Sequence, residues 1–259
     1  MTRRFKLTLA YDGTAYNGWQ VQATGIATVQ KTCEDILSDI FHQPVKLHGS
    51  GRTDRGVHAS GQVAHFDAET RMKPKAILNA CNARFPADIR VLRATRCAKK
   101  FHARFGAKRK EYRYFAWNDA VIPPDKRLYH AHAMRPLDLA AMRAAAAHFV
   151  GEHDFASFTA NPQREVKTTV REIYACVVSK SGKRICIRVQ GSGFLYKQVR
   201  SIAGFILRVG EGNEQPDAAL ALLDAAEPRT ARVPSAPPQG LFLWRVWYSA
   251  SRVTSSQTV

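Results

Sequence analysis

Residues 49–67 read GSGRTDRGVHASGQVAHFD. Within them, GRTDRG sets one acid, Asp54, between Arg52 and Arg55 and between Gly51 and Gly56. A nearby guanidinium favours the ionised form of a carboxyl and lowers its pKa. Glycines on both sides let a ligand or another stretch of backbone approach closely. An ionised, positioned carboxylate can serve as nucleophile or base at a carbon centre. The same residues suit an aspartate that only pairs with an arginine to shape a loop. Spacing alone does not choose between the two.

Other chemistries fit the stretch less well. A dinucleotide loop of the G-x-G-x-x-G kind, started at Gly49 and Gly51, would need glycine at position 54, and a carboxylate there repels a pyrophosphate. A phosphate-cradling P-loop would need Gly-Lys-Ser/Thr, which is missing. His58 and His65 lie seven residues apart without helical context, so structural hydrogen bonds suit them better than a metal. Two-carboxylate glycosidase chemistry needs a second acid aimed at the same bond. Asp67 and Glu69 fall on or beyond the following strand and support it weakly.

The chain as a whole is strongly basic. Its 259 residues carry 39 Lys+Arg against 21 Asp+Glu, a net charge of +18. Such a surface favours a polyanion, nucleic acid above all. No apolar run approaches the roughly 20 residues of a membrane span, and the N-terminus has no signal-peptide pattern. The five cysteines form no C-x-x-C pair. They suit small apolar fillers in a cytoplasmic protein, rather than disulfides or a metal. The charge is concentrated in RCAKKFHARFGAKRKEYR, residues 96–113, where Glu111 is the only acid and Phe101, Phe105 and Tyr112 interleave with the cations. Phosphates attract Arg and Lys, and unstacked bases attract aromatic faces, so this stretch points to RNA rather than to a merely solvated basic face.

The elements that position these residues follow from periodicity. Phe5–Tyr11 alternates as a strand. Val29, Cys33, Ile36, Leu37, Ile40 and Phe41 recur at helical spacing behind Thr28 as N-cap, and Pro44 closes that helix. Val45–His48 and Gln62–Asp67 read as strands around the Asp54 loop, 75–85 as a helix and 89–95 as a strand. This is the β-α-β-β-α-β order of a split β-α-β fold. The second half repeats it. A strand spans 111–117, a helix follows from Leu139, and the 172–178 and 184–189 strands flank the turn SKSGK. A helix carries Leu195, Val199, Ile202, Ile206 and Val209, a short helix spans 218–226, and a closing strand spans 241–248. Residues 228–240 form a proline-rich loop, and the polar 249–259 tail is expected to fray. Two α+β halves are expected, with sheets that join into one.

The motif GRTDRGVHASGQVAHF resembles the catalytic loop of the TruA family of tRNA pseudouridine synthases. YDGTAYNGWQVQ with TVQ, FHARFGAKRKEYRY, HDFASF, GSGFLYKQVRSIAG and GLFLW resemble further motifs of that family, in order along the chain. The resemblance implies an α+β fold of two ferredoxin-like halves joined around a central, largely antiparallel sheet. It implies a division near 1–105 and 106–259. The catalytic acid falls on Asp54. Arg52 is implied to open the RNA, Tyr112 to stack on the target uracil, Arg200 to pair with Asp54, and Leu243 to wall the uracil pocket. Lys108, Arg109, Lys110 and Lys197 are candidates for the RNA backbone. Lys197, Arg200, Gly204 and Arg208 fall as a stripe at helical spacing. Arg55 stands where the family often has a small residue, and Gln198 where Met is common; neither removes a reacting group.

The implied activity is isomerisation of uridine to pseudouridine at positions 38, 39 and 40 of the tRNA anticodon arm, by a homodimer, without metal or cofactor. A catalytically silent RNA-binding or RNA-chaperone protein on the same fold is the alternative. It would have no need to keep Asp54, Arg52, Tyr112 and Arg200 together. A base-releasing glycosidase is disfavoured by the lack of a well-spaced second acid.

Overall fold

The computed structural model describes residues 1–160 and 167–249. In chain order the strands are β1 Thr2–Tyr11, β2 His48–Gly49, β3 His58–Glu69, β4 Ile89–Cys97, β5 Arg109–Asn118, β6 Ala131–Ala133, β7 Gly151–Asp154, β8 Val170–Ser181, β9 Arg184–Gly191 and β10 Leu241–Trp247. The helices are α1 Val29–Phe41, α2 Pro74–Arg84, α3 Leu139–Ala147, α4 Gln198–Gly210 and α5 Ala218–Ala225. They fall into two compact units. Met1–Ala107, Ile122–His132 and Pro237–Val246 make the first. The described residues of Lys108–Val121, Ala133–Ala236 and Trp247–Val259 make the second.

In the first unit the strands run β4-β1-β3-β10, with β2 also paired to β3. β1 pairs antiparallel with both β3 and β4, while β10 meets β3 in parallel at Phe242–His58 and Leu243–Ala59. This is the split β-α-β order that alternation and helical spacing predict. Phe5, Leu7, Leu9 and Tyr11 alternate inward on β1 and are buried, as period-two patterning requires. Thr28 caps α1, its hydroxyl accepting from the Lys31 N–H at 3.3 Å, and His42 ends the helix in a left-handed conformation at φ 52°, before Pro44 is reached.

The expected strand at 45–48 shrinks to β2. The Val45 N–H donates to Ser38 Oγ at 3.0 Å and the Leu47 N–H to Glu34 Oε1 at 2.8 Å. Helix side chains therefore take the donors that a ladder would have used. β3 in turn starts earlier than expected, within the Asp54 motif itself, at His58.

The second unit has the strand order β5-β9-β8-β7, antiparallel throughout. Its sequence β5, α3, β8, β9, α4 repeats the order β1, α1, β2, β3, α2. Asp138 caps α3 by accepting from the Ala140 and Ala141 N–H groups at 2.8 and 3.0 Å. Both units are thus α+β with largely antiparallel sheets, the fold class expected. β6 and β7 are additions that periodicity does not reveal, and Leu195 precedes α4 rather than lying on it. The 228–240 loop is present and carries one turn of 3₁₀ helix at Pro238–Gly240. Among the described residues no helix is long and apolar enough to cross a membrane. The expected fraying of the tail falls, apart from Ser249, outside the described residues.

Candidate active site

The Asp54 loop is tied down on both sides by backbone and buried side chains of the first unit. At its start, the Ser50 N–H donates to Val63 O at 2.7 Å. Ser50 Oγ donates to Gln62 Oε1 at 2.6 Å, and Gln62 Nε2 returns a bond to Gly51 O at 2.9 Å. Thr53 turns inward, 7% exposed. Its hydroxyl lies 2.9 Å from the Tyr11 hydroxyl, and its carbonyl accepts from the Trp19 N–H at 3.0 Å. Burial lifts the Tyr11 phenol well above its ordinary pKa, so it stays a neutral hydrogen-bonding group.

The far side of the loop is a turn. The Val57 N–H donates to Asp54 O at 3.1 Å, and Gly56, third in that turn, has φ +74°. A positive φ at this position is what glycine supplies without strain. The Gly-rich segment 11–19 packs directly against the loop. A Cβ on Gly13 would stand 2.1 Å from Val57 O, and one on Gly18 would stand 2.5 Å from Thr53 O. The two glycines of YDGTAYNGW are therefore the seat of the Asp54 loop, a role that a Gly-rich turn does not by itself announce.

Thr53 faces in, so its neighbours face out. Arg52 and Arg55 are exposed, and Asp54 is half-buried. The loop thus presents a carboxylate between two cations on a backbone with little freedom. The first two acids that follow Asp54 are engaged elsewhere. Asp67 forms a bidentate pair with Arg4, at 2.8 and 2.6 Å, and Glu69 accepts from the Thr2 hydroxyl at 3.1 Å. His58 and His65 are structural, as expected: their Nδ1 atoms accept from the Gly13 N–H at 3.0 Å and the Ala103 N–H at 3.1 Å.

Leu243 lies in the same unit, fully buried on β10 and paired in register with Ala59, at the start of the strand that leaves the Asp54 loop. Its place beside that loop is set by a close approach: a Cβ on Gly61 would lie 2.3 Å from Trp244 O.

The remaining expected site residues belong to the second unit. Tyr112, on β5 opposite Val189, is 7% exposed and meets Phe194 edge-on at 5.1 Å. Tyr114, two residues on along the same strand face, is fully buried. Both tyrosines are therefore covered. Arg200, on α4, donates from Nε to Ala236 O at 2.8 Å. Burial raises the Tyr114 phenol pKa, and the Arg200 charge acts against that rise, which places the guanidinium near β5.

The basic stripe on α4 is corrected by its surroundings. Gly204 is pressed against the 228–240 loop, where a Cβ would stand 2.1 Å from Pro234 O, and Arg208 faces Glu214 at 3.9 Å. Lys197 caps α4 in a left-handed conformation at φ 58°, its amine 5.1 Å from the Tyr196 ring. Among the backbone candidates, Lys108 is exposed, whereas Arg109 and Lys110 are half-buried. The Arg109 guanidinium lies 4.1 Å from the Trp247 ring. Burial pushes the Cys81 and Cys176 thiols up to about 12, so they behave as apolar fillers.

The family model described as tRNA pseudouridine synthase matches residues 8–106 and 145–249, and the chain belongs to that family of isomerases. It is 46% identical over 246 residues to the tRNA pseudouridine synthase A of Geotalea uraniireducens, covering 95% of this chain and 100% of the relative. It is also 46% identical over 246 residues to the enzyme of that name from an Exiguobacterium species, covering 95% of this chain and 98% of the relative.

Proposed function

We propose that the protein converts uridine to pseudouridine at positions 38, 39 and 40 of the tRNA anticodon arm, with Asp54 as catalytic nucleophile. The observation that carries this reading is the rigid presentation of Asp54: Thr53 is buried behind it, and glycines 13 and 18 leave the loop no room to shift. Preorganised geometry of this kind is what separates a reacting group from an ornamental one.

The reaction is an isomerisation. The N1–C1′ bond of uridine breaks, the uracil turns while held, a C5–C1′ bond forms, and the C5 proton leaves as N1 regains one. Nothing is oxidised or reduced and no group is taken from outside, so neither cofactor nor metal is required. The target must leave its stack to reach the carboxylate. In this reading Arg52 holds the RNA open, Tyr112 stacks on the flipped uracil, Arg200 pairs with Asp54, and Leu243 supplies an apolar wall. Lys108, Arg109, Lys110 and Lys197 follow the phosphates. The enzyme works in the cytoplasm as a homodimer.

Incubation with an unmodified tRNA transcript in EDTA, followed by carbodiimide mapping of pseudouridine, tests the reading. Stops confined to positions 38–40 are expected. Bound but unmodified tRNA would favour the silent RNA-binding alternative, and release of free uracil would favour a glycosidase. Sedimentation at micromolar concentration should give twice the chain mass.

A further inference from the structure

The turn at 98–107 holds an aromatic ring outward in a way that packing does not explain. Phe105 is 77% exposed. Its backbone, by contrast, is closed. The Phe101 N–H donates to Ala98 O at 2.9 Å and the Gly106 N–H to His102 O at 2.9 Å. The Arg104 and Phe105 N–H groups both reach His102 Nδ1, at 3.1 and 3.3 Å. Ala103 is fully buried, and its N–H donates to His65 Nδ1. The His102 ring then lies 4.4 Å from the Phe105 ring at 32° and supports one side of it.

The surroundings are mainly cationic, with Asp67 and Glu69 held by Arg4 and Thr2. No acid occurs between Asp88 and Glu111. Lys99, Lys100 and Arg104 are exposed, and the Arg104 guanidinium stands 5.7 Å from the Phe105 ring. The chain enters this turn from an open pocket of about 530 Å³ lined by Arg3, Arg4, Arg96 and Lys99. Arg4 is a strut there: besides its pair with Asp67 it donates to Lys99 O at 2.6 Å and Phe101 O at 2.8 Å. Arg3 Nε is buried with no hydrogen-bond partner among the described residues.

A protein partner would meet this ring with apolar or acidic groups on a broad face, whereas Phe105 stands alone among cations. A nucleobase offers a flat π-face and brings its own phosphates. We infer that Phe105 is a stacking platform for an unpaired base of the RNA substrate, separate from the target uridine, with the Arg3–Arg96–Lys99 pocket taking the adjoining phosphate. This rests on the proposed RNA-directed function and deepens it by naming a second contact.

The test is tRNA binding and turnover by Phe105→Ala, Phe105→Trp and Lys99→Gln, beside wild type. A base–aromatic stack is worth about 1–3 kcal/mol, so Phe105→Ala should weaken binding about 5- to 150-fold. The effect should lie in Kd and KM, with kcat within about twofold. Phe105→Trp should restore affinity. Phe105→Ala should leave the salt slope of binding unchanged, because no charge is lost, while Lys99→Gln should lower it by about 1. An unchanged Kd in Phe105→Ala, with wild type active, overturns the inference alone. So does weakened self-association of Phe105→Ala in sedimentation, which would make the ring a subunit contact. A wild type that binds tRNA but makes no pseudouridine overturns the functional reading instead.

Discussion

The loop around Asp54 and the turn around Phe105 both send a side chain outward from a fixed backbone, but their ties differ in kind. At Asp54 the tie is mainly steric. Buried Thr53 anchors the centre, and Gly13 and Gly18 let segment 11–19 approach to where a single methyl group would collide with carbonyl oxygens. At Phe105 the tie is polar. Buried Ala103 anchors the centre, and the imidazoles of His65 and His102 collect three backbone N–H groups. A contact distance of van der Waals type has no titration and tolerates no added atom. A hydrogen bond to imidazole tolerates repacking but fails when the ring gains a proton. The proposed reacting group is thus seated mainly on close backbone approach, with one imidazole, His58, accepting from the Gly13 N–H, whereas the proposed docking ring depends on imidazole acceptors throughout.

Substitution, salt and pH should separate the two regions. Removing the carboxylate should have the largest effect. Asp54→Asn should lower kcat on the order of 10⁴-fold or more, with tRNA affinity within about tenfold because phosphates supply much of it. Next is the seat. Gly13→Ala places a methyl 2.1 Å from Val57 O and should lower activity about 100-fold by displacing the loop, with far-ultraviolet circular dichroism confirming a folded chain. Salt comes third. Raising it from 50 to 200 mM should weaken tRNA binding of wild type steeply, and a flat response in a filter-binding titration would contradict the role given to the basic segment.

The smallest effect is on stability. Burial, with the Arg4, His102 and His48 charges adding to it, lowers the His65 pKa from 6.5 to about 4. A histidine depressed in this way binds protons more readily when unfolded. Its contribution is therefore complete above pH 6.5 and is lost as pH falls from there towards about 4. The melting temperature should drop over that window by several degrees, and less in His65→Asn.

Much of the architecture was legible because local signals agreed with it. Thr28 with the 3.6-residue spacing of Val29, Cys33 and Leu37 defines α1, and the alternation of β1 defines its buried face. The Asp54 loop was legible as a cation-flanked carboxylate, though only the resemblance of several motifs favoured a nucleophile over a salt bridge. What escaped was set by distant partners. Ser38 and Glu34 take the N–H groups of the expected 45–48 strand. Residues Ile122–His132 belong to the first unit, which no local pattern foretells. Tyr112 and Tyr114 share a face by periodicity, but only the tertiary structure shows both covered. The basic stripe on α4 had the right spacing and the wrong surroundings, since the loop at Pro234 closes over Gly204.

That Asp54, held on a rigid loop, does the chemistry is the proposal on which the other roles depend. It is tested most directly with saturating tRNA carrying tritium at uracil C5, in EDTA, under single-turnover conditions, with wild type beside Asp54→Asn. Tritium release by wild type alone, with both proteins binding the tRNA, is the predicted result. Equal release by Asp54→Asn would exclude Asp54 as the reacting group.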